Sequence, residues 1–139
     1  MNIHPGQGVA VILPWFADGA TGGYKRTLLV ISIDTVLNQF SLLNVSTIKD
    51  KEHKLQLPSN EPLKTYKPPF NRPSFVKLDV VYTIDYFLDF NKAIFKSGAL
   101  PPGELTRIVT LYNQYSQNHK VRKIHFNEQQ MLNVNPGFF

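Results

Sequence analysis

The sequence contains no cysteine and no long apolar run, and both absences restrict what the chain can be. Without a thiol among its 139 residues, the chain can form neither a disulfide nor a zinc site with cysteine ligands. No uninterrupted apolar stretch approaches the roughly 20 residues that a membrane-spanning helix needs. The first residues, MNIHPGQG, do not resemble a signal peptide. We therefore expect a cytoplasmic protein with no membrane-inserted segment.

The common motifs of cofactor and metal chemistry are also missing. The sequence has no P-loop, no dinucleotide-binding glycine motif, no HExxH and no GxSxG. Its four histidines, at positions 4, 53, 119 and 125, have no spacing typical of zinc ligands. The sequence thus predicts neither a bound metal nor an organic cofactor.

The composition is that of a basic globular domain. Hydrophobic residues make up 42% of the chain and aromatic residues 12%, which is enough to build a core. The net charge of +5 favours an anionic partner such as nucleic acid, an acidic protein or a membrane surface. Because the cations are spread along the chain, charge alone does not choose among these partners.

Hydrophobic patterns predict a mainly β fold with a C-terminal helix. Apolar segments at 8–16, 26–34 and 40–48 predict three strands joined as a meander, and alternation over 74–85 predicts a fourth long strand. Over 101–118 the period changes to that of an amphipathic helix, with prolines at its start, where helices tolerate them. This element order predicts a small antiparallel barrel with an appended helix.

Other segments carry weaker patterns. Residues 58–73 hold five of the ten prolines and are predicted to form a surface loop, because proline cannot donate a ladder hydrogen bond. Residues 53–57 could form a short strand, and 87–95 a strand or a helical turn. Residues 119–139 are basic and could form a final strand, a docking segment or a partly disordered tail. We therefore divide the chain into a barrel domain, 1–118, and a basic extension.

Polar residues fall at the ends of the predicted strands. Arg26 begins the second strand, and Ser46 and Thr47 end the third. Because neighbouring strands of a meander run antiparallel, Arg26 should lie beside Ser46 and Thr47. In the fourth strand, strict alternation places Lys77 and Asp79 on one face.

Several stretches, in this order, resemble the MazF/PemK-like toxins of type II toxin–antitoxin systems. GQGVAVILPWFADGATGGYKRTLLVIS is similar to the family's first strand, glycine-rich loop and second strand. FSLLNVSTIK resembles its third strand, PSFVKLDVVYTID a later strand, and LPPGELTRIVTLYNQY its C-terminal helix. The likeness covers roughly residues 6 to 118. It implies an SH3-like barrel, usually a homodimer, that acts as a metal-independent endoribonuclease on single-stranded RNA and is inhibited by a cognate antitoxin protein.

The resemblance also implies a catalytic site. Arg26 corresponds to the catalytic arginine of the family, and Thr47 to its hydroxyl residue, with Ser46 as the one-residue alternative. Asp79 corresponds to the aspartate of the later strand, and Lys77 to a position that is arginine in some active members. RNA cleavage requires a base for the ribose 2′-OH, a cation for the phosphoryl oxygens and an acid for the leaving oxygen. Arg26 suits the cation, Asp79 is the candidate base, and Lys77 is a candidate acid or second phosphate clamp.

Candidate RNA contacts lie beside this site. Gly23 and Lys25 precede the arginine, Gly19 and Gly23 correspond to glycines of the family's loop, and Ser46 is the third candidate contact. The family usually has proline after the arginine, where this chain has Thr27.

Simpler interpretations stay open at the sequence level. Arg26 could pair with Asp18 or Asp34, and Lys77 could form a surface ion pair with Asp79. The aromatic residues at positions 66, 70 and 75 could stack on bases or pack in the core. The chain could accordingly be the ribonuclease toxin, an inactive barrel that binds RNA or an antitoxin-like peptide, or a protein-interaction module of a mobile element.

Overall fold

The computed structural model describes residues 1–16 and 24–139, and Gly19, Gly23 and Asp18 lie outside these ranges. The described residues contain eight strands in one sheet. The strands are β1 (Gln7–Val11), β2 (Arg26–Asp34), β3 (Gln39–Thr47), β4 (Asn60–Pro62), β5 (Ser74–Lys77), β6 (Val80–Asp85), β7 (Ile94–Ala99) and β8 (Arg122–Phe126). The mainly β prediction with a C-terminal helix is confirmed.

The central strand of the sheet is β3. One edge of β3 pairs with β2, and its other edge is shared by β5 and β6. The path β4-β5-β3-β2-β1-β7 is open, so pairing of the described strands does not close a barrel. All pairings are antiparallel except that of β6 with β8, which is parallel. The predicted meander of β1, β2 and β3 is present, with Thr27 opposite Val45.

Residues 74–85 form two strands where the sequence predicts one. Leu78 and Asp79 interrupt the ladder between β5 and β6. Unbroken alternation would place Leu78 and Tyr82 on the same face, but they belong to opposite core clusters. The interruption shifts the alternation by one residue, as an irregularity in a strand does. The predicted face of Phe75, Lys77, Asp79 and Val81 is therefore wrong beyond the break.

Two helices cover opposite faces of the sheet. Helix α1 (Pro102–Asn118) starts with proline in its first turn and packs Ile108 onto the face formed by Leu29 and Leu43. We name this the α1 face. Helix α2 (Glu128–Val134) packs Met131 onto the opposite face, named the α2 face. None of the described helices is long and apolar enough to cross a membrane.

Two segments that the sequence leaves ambiguous contain short 3₁₀ helices. These helices are Glu52–Gln56 and Leu88–Ala93. The proline-rich segment 58–73 contains β4, and Phe70 within it is 4% exposed. This segment is therefore partly a core element.

The basic segment 119–139 contributes to the core of the α2 face. Strand β8 buries Ile124 and Phe126, and α2 buries Met131. Asn135, 3% exposed, bonds both backbone groups of Ile12, since Ile12 N donates to Oδ1 and Nδ2 donates to Ile12 O, each at 3.0 Å. The C-terminal segment is thus fixed to the chain that follows β1.

Candidate functional site

A cleft of about 320 Å³ opens on the α2 face at the start of β2. We name it the Arg26 cleft. Its lining residues come from four strands (β2, β3, β5 and β6), the break between β5 and β6, and the segment after β1: Phe16, Arg26, Asn44, Lys77, Asp79, Val80 and Tyr82. Three of the four residues to which the sequence assigns catalytic roles therefore line one cleft, and Thr47 does not.

Aromatic rings hold the Arg26 guanidinium. Its carbon Cζ lies 3.7 Å from the ring centroid of Phe16 and 4.2 Å from that of Tyr24. Stacking on aromatic faces stabilises a guanidinium and leaves its edge donors available. The buried Nε has no hydrogen-bond partner among the described residues. Such a buried donor is costly until a ligand satisfies it.

The sequence offers Asp18 and Asp34 as acidic partners of Arg26. Asp34 is not one, because its Oδ1 accepts from the backbone N–H groups of Val36 and Leu37 in the β2–β3 turn, each at 3.0 Å. Asp18 lies outside the described residues. Within the described ranges, Arg26 forms no salt bridge.

Lys77, which lines the cleft, has a perturbed pKa. Burial lowers the pKa of Lys77 below its ordinary value, and the nearby cations Lys54, Lys51 and Arg26 lower it further, while Asp79 acts in the opposite direction. A lysine whose pKa lies below its usual range is a stronger acid, which suits proton transfer. The ion-pair interpretation finds no support, since no salt bridge within 4.0 Å joins Lys77 to Asp79.

The break between β5 and β6 builds this part of the cleft. Because the alternation shifts after Leu78, Val80 and Tyr82 face the side of the sheet that Lys77 faces. Asp79 stands at the break itself, and its backbone oxygen accepts from Arg122 N at 3.0 Å, where β8 begins. The C-terminal segment therefore supports the backbone of Asp79.

Thr47 lies on the other face of the sheet. Since side chains alternate along a strand, Arg26 follows Leu28 onto the α2 face, while Thr47 follows Val45 onto the α1 face. The start of β2 lies beside the end of β3, as predicted, but the side chains of Arg26 and Thr47 point to opposite faces of the sheet. This arrangement does not bring the two side chains to the same phosphate.

A second, larger groove of about 530 Å³ lies on the α1 face. We name it the Phe95 groove after the aromatic residue in its floor. Hydroxyl residues surround it: Thr27, Ser46, Thr47, Ser74 and Ser97. Ser46 also accepts a 3.0 Å hydrogen bond from Lys51 Nζ. Ser46 and Thr47 thus both line this groove, although alternation along β3 directs the Ser46 side chain, like that of Asn44, toward the α2 face.

Lys25 contacts the C-terminal end of the chain. Its Nζ lies 3.9 Å from the ring centroid of Phe138. The other two loop candidates, Gly19 and Gly23, fall outside the described residues.

Sequence reasoning missed part of the cleft. Phe16, Tyr24, Asn44 and Tyr82 carry no motif that would mark them as site residues, and Asn44 reads as an ordinary position of a buried strand. Only the register of β2 with β3, where Leu28 opposes Asn44, brings this amide next to the arginine. Among the described residues, no three histidine, aspartate or glutamate side chains form a group that could hold a metal ion.

In comparisons with models of known protein families and with curated proteins, the sequence matches none.

Proposed function

We propose that this protein is a metal-independent endoribonuclease that cleaves single-stranded RNA in the Arg26 cleft. The observation that carries the proposal is the convergence of Arg26, Lys77 and Asp79 on one cleft, where no described residue satisfies the buried Nε donor of Arg26. Arg26 offers a positive charge and this donor to a phosphodiester group, and Asp79 and Lys77 beside it can accept and donate the protons of the reaction. The resemblance to MazF/PemK-like toxins supports the same reaction. It extends the proposal further: the protein is a toxin, it acts as a homodimer, and its cognate antitoxin inhibits it by covering the cleft.

The reaction is an attack of the ribose 2′-oxygen on the adjacent phosphorus. Asp79 accepts the proton of the 2′-OH while the new O–P bond forms. The bond from phosphorus to the 5′-oxygen breaks, and Lys77 gives its proton to that oxygen. The products are a 2′,3′-cyclic phosphate and a free 5′-OH, and DNA is no substrate because it lacks the 2′-OH.

Arg26 stabilises the charge that accumulates on the phosphoryl oxygens. Its planar guanidinium matches the geometry of two phosphate oxygens, and the rings of Phe16 and Tyr24 fix its plane in advance. The amide of Asn44, at the wall of the same cleft, supplies a further donor. Such fixed donors act without reorganisation during the reaction.

One observation favours a second function, RNA binding without cleavage. Thr47 lies on the face opposite to Arg26, so the hydroxyl that the resemblance implies for catalysis is not in the cleft. A protein of this kind would bind RNA with an affinity that falls as salt rises, and would form no product.

The experiment is incubation of long single-stranded RNA of varied sequence with the purified protein in EDTA, beside Arg26→Ala and Lys120→Ala. Removing one preorganised donor costs about 10²- to 10³-fold in rate, so we expect Arg26→Ala to lose cleavage to at least that extent. Lys120 is exposed and lines neither cleft, so its variant should cleave like the wild type. Thermal unfolding of each variant reports whether the fold is retained.

Cleavage that persists in Arg26→Ala would contradict the assignment of the site. Absence of product with all three proteins, combined with salt-dependent RNA binding, would replace the ribonuclease by the RNA-binding function.

A further inference from the structure

The Phe95 groove is built as a site, and the proposed reaction does not use it. Its floor is apolar, because Pro69, Phe70 and Phe95 pack against Gly8. A Cβ on Gly8 would lie 2.7 Å from a ring carbon of Phe95 and 3.0 Å from Pro69. Only glycine at this position lets the floor approach β1 so closely.

Hydrogen bonds fix the loop that forms one wall of the groove. Ser97 Oγ donates to the backbone oxygen of Pro69 at 3.0 Å, and Ser74 Oγ donates to that of Arg72 at 2.8 Å. The rings of Phe70 and Phe95 meet edge to face at 6.2 Å. The groove is therefore held in shape without a ligand, which lowers the entropic cost of binding one.

The charge at the rim is of one sign. Arg72 and Lys96 are exposed and line the groove, and none of the carboxylates in the described part of the chain lines it. An aromatic floor with a cationic rim suits a nucleotide, whose base is apolar and planar and whose phosphate is anionic. A volume of about 530 Å³ lies within the range of small-molecule sites.

The two clefts lie on opposite faces of the sheet, both at the end where β2 begins and β3 ends. Arg26 and Thr27 are consecutive residues at the start of β2, and each lines one of the clefts. Asn44 lines the first, and Ser46 and Thr47 line the second. An RNA strand that passes over the ends of β2 and β3 would therefore contact both.

We propose that the Phe95 groove binds one nucleotide of single-stranded RNA next to the phosphate held at Arg26, with the base on the apolar floor and its phosphate between Arg72 and Lys96. The inference rests on the proposed function for the position of the scissile phosphate. It assigns Thr47 to the flanking nucleotide and not to the reaction.

The test measures binding separately from cleavage. The probe is a fluorescent 2′-O-methyl RNA hexanucleotide pool of mixed sequence, which cannot be cleaved because its 2′-oxygens are blocked. Fluorescence anisotropy at several salt concentrations compares the wild type, the double variant Arg72→Gln/Lys96→Gln, Phe95→Leu and the control Lys120→Gln. The substituted cations are exposed, so the double variant should fold.

Each lost phosphate contact to single-stranded RNA lowers the slope of log affinity against log salt by about 0.7. Because both cations contact one phosphate, we expect the double variant to lower the slope by about 0.7 and the affinity by about tenfold or more, and Lys120→Gln to change neither. Loss of base stacking in Phe95→Leu should weaken binding roughly fivefold or more. Double-variant binding indistinguishable from that of Lys120→Gln would overturn the inference, and so would a wild type that binds no RNA.

The two proposals fail separately. If the wild type cleaves RNA, Arg26→Ala does not, and the groove variants bind like the control, the ribonuclease stands and the nucleotide site is wrong. If no protein cleaves but the groove variants lose binding, the nucleotide site stands without the reaction.

Discussion

At the scale of single residues, Arg26 carries a permanent charge at the point where β2 enters the core. The charge is tolerated because two aromatic rings flank the guanidinium, at 3.7 and 4.2 Å from its carbon. A cation–π contact contributes about 0.5–2 kcal/mol depending on desolvation, which offsets part of the cost of the unsatisfied Nε. The sequence indicates Arg26 as a site residue, but it does not indicate the rings, because nothing in the sequence marks Phe16 or Tyr24 as a contact of the guanidinium.

The lowered pKa of Lys77 leads to a prediction about pH. As the proposed acid, Lys77 is active when protonated, so cleavage should fall as pH rises through its pKa. Because burial and nearby cations lower that pKa, this fall should begin below the ordinary lysine range. Lys77→Arg keeps the charge but does not release its proton near neutral pH, so its rate should be reduced at least about 10²-fold.

The pH–rate profile of kcat, measured for the wild type, for Lys77→Arg and for the control Lys51→Arg, checks whether Lys77 is the acid. Lys51 contributes a neighbouring charge, and its replacement keeps that charge, so the profile should be retained. A descending limb at unchanged pH in Lys77→Arg would show that another group supplies the proton.

At the scale of elements, a charged cluster joins α1 to β4. Arg107 Nε donates to Glu104 Oε1 at 2.7 Å, and its Nη1 donates to Glu61 Oε2 at 2.9 Å. Glu104 Oε2 also accepts from Lys64 N at 2.6 Å. The cluster fixes the proline-rich segment against the helix, and that segment carries the Pro69 and Phe70 floor of the Phe95 groove.

This cluster makes stability depend on pH. The Arg107 hydrogen bonds hold the pKa of Glu104 below its ordinary value, against the opposing effect of burial. A carboxyl group with a lowered folded-state pKa stabilises the protein above its unfolded-state pKa, and this contribution is lost as pH falls through the folded-state value. Glu104→Gln should therefore lower the free energy of unfolding by about 2 kcal/mol or more at pH 7. In the variant, the free energy of unfolding should also fall less steeply as the pH is lowered.

Urea unfolding at pH 7 and at several pH values below 4.5 measures both effects. Glu52→Gln is the matched control, because Glu52 is exposed and its change should stay within about 0.5 kcal/mol. Equal losses in the two variants would contradict a stabilising role of the cluster.

Element boundaries differ in how far the sequence predicts them. The bounds of β2 and of α1 were predicted almost to the residue, because each has an unbroken period and a clear polar or proline start. The break at Leu78 and Asp79 was not predicted, since both residues continue the alternating pattern. It follows from the sharing of one edge of β3 by β5 and β6, a tertiary arrangement that local pattern does not contain. The adjacency of the strand ends predicts that Arg26 and Thr47 are neighbours, but it does not predict their side-chain directions, which depend on the alternation between the two faces.

At the scale of the whole molecule, the two faces of the sheet are completed by segments distant in sequence. The α1 face is closed by the helix at 102–118, and the α2 face by residues 119–139. The sequence pattern of the second segment is weak because β8 is a short strand with three exposed residues. Its apolar residues are recognisable as core only once the parallel pairing with β6 is known.

Removal of residues 119–139 tests whether they form an appendage or part of the core. Truncation of a fully buried Phe126 or Met131 alone costs about 2–5 kcal/mol, and the deletion removes both together with Ile124 and the Asn135 hydrogen bonds to Ile12. The sum approaches or exceeds the 5–15 kcal/mol by which domains are stable. We expect the chain 1–118 to lack a cooperative thermal transition by circular dichroism, in contrast to the full chain.

A cooperative transition near that of the full chain would instead establish 1–118 as an independent domain. In that case the hydrogen bonds of the C-terminal segment to Ile12 and Asp79 would not be needed to form the Arg26 cleft.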